Sequence, residues 1–83
     1  MRAHSARVVA ELPPLAVGDR VQVLLDSVYW RTTGWLEGTI VRIDLYSAHR
    51  RFHWVELDLP AQPQQGGSAK MVSILNPKHI RRA

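Results

Sequence analysis

The sequence predicts an all-β fold, a small barrel of five short antiparallel strands with one 3₁₀ turn before the last of them. Three observations carry this. Apolar residues recur at every second position in four separate stretches, no stretch holds helical spacing over a useful length, and glycine, proline, asparagine and aspartate cluster between the stretches. The 83 residues leave room for one domain. A chain of that size buries only about 60% of the surface it exposes when unfolded, so its stability is modest and association would raise it.

Residues 1–15 are mixed and lack periodicity. They end in Leu12-Pro13-Pro14-Leu15, where the prolines exclude helix. A flexible arm is expected, with residues 7–11 pairing briefly to a neighbouring edge, and the barrel is expected over residues 16–83. Gly18-Asp19 supplies a turn. Val21, Val23 and Leu25 then alternate with Arg20, Gln22 and Leu24, giving one buried face and one wetter face. Leu24 on the wetter side asks for a cover.

Alternation stops over residues 26–34, where Ser27, Thr32, Thr33 and Gly34 bring turn chemistry. That loop lifts Tyr29, Trp30 and Arg31 out of the sheet, either as a lid over the barrel end or as a contact surface. A second strand is expected over residues 36–46, with a close approach at Gly38. Ile40 is out of phase with Val41, Ile43 and Leu45, so a bulge is expected near Val41-Arg42.

After a polar turn at residues 47–51, a third strand covers residues 52–59. It places Val55, Leu57 and Leu59 on the core face and Phe52, Trp54, Glu56 and Asp58 on the other. A tryptophan opposite the core is expected to meet a covering element or another subunit. Residues 60–68, rich in proline, glutamine and glycine, read as a mobile loop that adds nothing to the core. A fourth strand over residues 70–75 buries Val72 and Ile74, Asn76-Pro77-Lys78-His79 makes the 3₁₀ turn, and Ile80-Arg81-Arg82 is the fifth strand.

Composition narrows the function classes. The apolar and charged fractions, 46% and 22%, are those of an ordinary globular chain. The absence of cysteine removes disulfides and thiolate metal sites. No segment approaches the roughly 20 apolar residues of a membrane span and the N-terminus has no signal-peptide core, so a soluble, cytoplasmic protein without a membrane partner is expected. The net charge is +4, with nine arginines against two lysines. The guanidinium fork suits phosphate and carboxylate, which admits nucleic acid or an acidic partner alongside a plainly solvated surface.

Catalytic constellations are thin. His49 and His53 are four apart, but on a turn and a strand that spacing does not bring two imidazoles to one face, and no cysteine completes a metal set. Ser47 beside His49 lacks an orienting third group. Glu56 and Asp58 lie roughly 7 Å apart by strand rise and are expected to partner arginine. No enzyme activity, cofactor or metal is expected. The binding candidates are Tyr29, Trp30, Arg31, Arg42, Arg50, Arg51, Phe52 and Trp54. Their rings and cations suit either a protein interface, where tryptophan, tyrosine and arginine dominate, or a stacking platform for single-stranded nucleic acid.

Five short strands with a 3₁₀ turn before the last resemble the SH3-like barrel superfold. Gly18-Asp19-Arg20-Val21, Gly38-Thr39-Ile40-Val41 and Val72-Ser73-Ile74-Leu75 resemble the plasmid-borne type II dihydrofolate reductases, whose barrels assemble around a shared pore. Tyr29-Trp30 followed by Glu37-Gly38-Thr39 is similar to the E subunit of photosystem I. The first resemblance implies an oligomer and a mobile gene-cassette origin. Its reductase chemistry is carried in that family by a Val-Gln-Ile-Tyr strand, and Val72-Ser73-Ile74-Leu75 lacks both the amide and the phenol that would orient folate and nicotinamide. The expectation is therefore a non-enzymatic binding or assembly module acting on its own kind or on a protein partner. A nucleic-acid-binding barrel and a pore-type reductase are the alternatives.

Overall fold

A computed structural model describes residues 13–83, so the expected pairing of residues 7–11 and most of the arm lie outside the described residues. Five strands, β1 (Arg20–Leu25), β2 (Gly34–Leu45), β3 (Arg51–Ala61), β4 (Ala69–Ile74) and β5 (Ile80–Arg82), form one antiparallel sheet in the order β4-β3-β2-β1-β5. The described residues contain no α-helix, and a one-turn 3₁₀ helix, Pro77–His79, precedes β5. Asn76 caps it by accepting from the Lys78 amide at 2.9 Å, and Pro77 supplies a preset φ at the first position.

The central strand is shared between two partners. Its first half, Gly34 to Thr39, pairs with β1, and its second half, Gly38 to Leu45, pairs with β3. Where the halves overlap, the β3 backbone closes on Gly38. A Cβ there would stand 2.5 Å from the Glu56 carbonyl oxygen and 2.7 Å from Val55 Cγ1. The register then shifts between Ile40 and Arg42, which leaves Val41 as the bulge that the phase of the apolar residues requires.

This coiling turns the inner faces of both sheet edges onto one core. Val21, Val23 and Leu25 of β1, Ile40 of β2, Val55, Leu57 and Ala61 of β3, Val72 and Ile74 of β4 and Ile80 of β5 are all buried together. Alternation thus places the core of β1 and β4 as expected. Leu24, on the other face, is half-buried and stands opposite Trp35, its cross-strand partner.

Three expectations are corrected. Leu59 is 75% exposed although it is in phase with Val55 and Leu57, because the β2–β3 ladder ends at Gly38–Leu57 and the β3–β4 register shifts between Glu56 and Ala61. Residues 60–68 do contribute to the core: Pro60 and Ala61 belong to β3, and Ala61 is completely buried beside its partner Ala69. A residue as small as alanine escapes a compositional reading. Leu15, assigned to the arm, packs against the core, and Arg82 holds the Pro13 carbonyl beside it.

Because backbone, rather than a movable side chain, opposes a Cβ at Gly38, Gly38→Ala is expected to cost about 1–3 kcal/mol as overpacking. That corresponds to a fall in Tm of roughly 4–8 °C per kcal/mol in thermal denaturation. An unchanged Tm would show that β2 and β3 do not close at this position.

Candidate functional site

The eight residues nominated by the sequence fall into three places. Arg42, Phe52 and Trp54 share the outer side of the β2–β3 hairpin, where Arg42 is the cross-strand partner of Trp54 and Asp44 that of Phe52. Asp44 joins them: its carboxylate accepts from the Arg42 Nε and from the Trp54 Nε1, both at 3.0 Å. The indole is half-buried and fixed in orientation by this bond. Tyr46 stands edge-on to Phe52 at 5.5 Å between ring centres. Tyr46 is 60% and Leu45 76% exposed, so the end of the hairpin carries an uncovered apolar rim.

Tyr29, Trp30 and Arg31 lie at the other end of β2, and they divide between the two roles open to them. Trp30 packs against the core as a lid, whereas Tyr29 is 72% exposed. The loop is tied down by its neighbour. The Arg31 amide donates to the Gln62 carbonyl at 2.7 Å, the Gln64 amide to the Tyr29 carbonyl at 2.8 Å, and the Gln64 side chain to the carbonyls of Ser27 and Trp30. Trp30 and Pro63 form an isolated bridge. The glutamine- and proline-rich segment therefore serves as the clamp that seats the aromatic loop.

Arg50 and Arg51 occupy a third place, the inner side and tip of the same hairpin. They line a cavity of about 530 Å³ at the open end of the barrel. His49 and His53 line it too. Burial, and then the charge of Arg51, holds His53 below its ordinary pKa near 6.5. Among the described residues no cluster of three or more histidines and carboxylates is placed to hold a metal ion.

Sequence reasoning missed a fourth grouping on the outer face. The Arg81 guanidinium stacks on Trp35 at 3.7 Å, and its Nε donates to Gln22 at 2.8 Å. Beside it Arg20 grips Asp58 with both terminal nitrogens, at 2.7 and 2.5 Å, and reaches Thr39 and Glu37. The hydrogen bond from Arg20 is the main cause holding the Asp58 carboxyl below its ordinary value. Residues 59 positions apart in sequence, Gln22 and Arg81, could be paired only once the β1–β5 register was known.

The arginines are thus unequal. Arg20, Arg42 and Arg82 are matched by Asp58 and Glu37, by Asp44 and by Asp19. Among the described residues Arg31, Arg50 and Arg51 have no such carboxylate, and Arg31 lies at the opposite end of β2 from the other two. No helix of the described residues is long and apolar enough to cross a membrane.

Comparison with known protein families, with curated proteins and with solved structures gives no match.

A histidine whose folded pKa is depressed stabilises the fold most when neutral. Its contribution is complete above the unfolded value near 6.5 and is lost as pH falls from there through the folded value. His53→Gln is accordingly expected to flatten the loss of stability as pH falls below about 6.5, measured by urea denaturation across pH. An identical pH profile in the variant would contradict this placement of His53.

Proposed function

We propose that this chain is a non-enzymatic SH3-like module that binds protein through the outer side of its β2–β3 hairpin, its first partner being a second copy of itself. The observation that carries the reading is the Arg42–Asp44–Trp54 constellation. A tryptophan and an arginine already oriented by a shared carboxylate lose little freedom on docking, and these are the residue types that dominate interface energetics. The exposed ring of Tyr46, edge-on to Phe52, extends that surface. The strand order and the 3₁₀ turn before β5 support the SH3-like assignment.

Charge favours protein over nucleic acid at this face. Asp44 balances Arg42, and Glu56 lies exposed on the same side of β3, so a phosphate backbone approaching here meets carboxylates. Of the nominated arginines without a carboxylate among the described residues, Arg31 is separated from Arg50 and Arg51 by the length of β2. The pore-type reductase is the least supported reading, since β4 presents an exposed Ser73 where that chemistry needs an amide.

Sedimentation equilibrium tests the proposal. The wild-type chain is expected to show a mass above its 9.4 kDa monomer. Trp54→Ala is expected to shift the dissociation constant by about thirtyfold or more, as truncating a hot spot of at least about 2 kcal/mol does. A wild-type monomer at 0.5 mM, or a variant that associates as tightly as the wild type, would remove self-association from the account.

A further inference from the structure

We propose that the cavity at the open end of the barrel binds a phosphomonoester carried on a small apolar body. This site is separate from the contact face. Along β3, Arg51 and His53 turn to the inner side of the hairpin, while Phe52 and Trp54 turn outward.

Three features of the cavity point to that ligand class. Its volume, about 530 Å³, falls in the range of small-molecule sites. Its wall is chemically divided: Leu75, Pro77 and the buried Ile80 supply an apolar floor, and His49, Arg50, Arg51 and His53 supply a cationic rim. Among the described residues no carboxylate lines it, and Arg50 and Arg51 have no carboxylate partner. Arg20 and Arg42 on the outer face differ on this point, because carboxylates already match them there.

The rim suits phosphate better than carboxylate. A phosphomonoester is a dianion near neutral pH, which two guanidinium charges balance, and its tetrahedral oxygens accept from several directions at once. Two forks and two imidazoles around a concavity provide donors from those directions. A carboxylate is planar, carries one charge and is satisfied by one fork, which would leave the second arginine unused. The apolar floor asks for a body attached to the phosphate, since a free inorganic anion would leave it uncovered.

The test is a titration of the full chain by two-dimensional amide NMR with phenyl phosphate, benzoate and benzyl alcohol as probes. The proposal expects phenyl phosphate to give saturable shifts at Arg51, His53, Leu75 and Ile80. It expects benzoate to bind at least fivefold more weakly and benzyl alcohol to produce no saturable shifts. Arg50→Ala and Arg51→Ala are each expected to weaken phenyl phosphate about tenfold, as loss of a charge-assisted pair does. Both side chains are exposed, so the variants should retain the dispersed wild-type spectrum that certifies their fold. Arg31→Ala, at the other end of β2, should bind like the wild type. Benzoate equal to phenyl phosphate, saturable binding of benzyl alcohol, undiminished affinity in the Arg50/Arg51 double variant, or an equal loss in Arg31→Ala would each overturn the proposal.

Discussion

The close approach of β3 to Gly38, with the bulge that follows it, is the constraint on which the rest of this molecule depends. A straight twelve-residue strand would lie in a flat sheet with one apolar face and no interior. Because β2 bends between its two partners, its first half serves β1 and its second half serves β3, and the sheet curls until β4 and β5 contribute to the same core. Only glycine permits the contact, since any side chain at position 38 would strike the Glu56 carbonyl. The bulge at Val41 then resets the phase, so that Arg42 and Asp44 face outward while Ile43 packs against the core.

That bend also creates the two proposed surfaces. Past the bulge, the two sides of the hairpin have different chemistry. The outer side presents rings and one neutralised arginine, fixed by Asp44. The inner side presents unmatched arginines and histidines above an apolar floor. Alternation along β3 produces this division without any further device, because consecutive residues from Arg51 to Trp54 must turn to opposite sides. A protein partner on one side and an anion on the other would therefore read the same structural element.

Much of the fold was legible in the sequence because it is written in period-two patterning and in turn residues. Val21, Val23, Leu25, Val72 and Ile74 announce their face by alternation, and the clash of phase between Ile40 and Val41 announces the bulge. Leu59 and Ala61 were not legible for a physical reason: where a strand leaves its ladder depends on the curvature of the whole sheet, which no local window contains. The candidate site was legible as a list of residue types but not as an arrangement. Trp54 was placed opposite the core correctly, yet its bond to Asp44 depends on a register between strands. The seating of Trp30 by Pro63 and Gln64 joins two loops more than thirty residues apart. Composition alone made that second loop look dispensable.

Hydroxyl-radical footprinting of the side chains at low and high protein concentration tests the central claim, that the outer side of the hairpin is a contact face, most directly. The account predicts that Tyr46, Phe52 and Trp54 lose reactivity as concentration rises while Tyr29, exposed at the far end of β2, does not. Reactivity of those three rings that is independent of concentration, or protection of Tyr29 in their place, would contradict it.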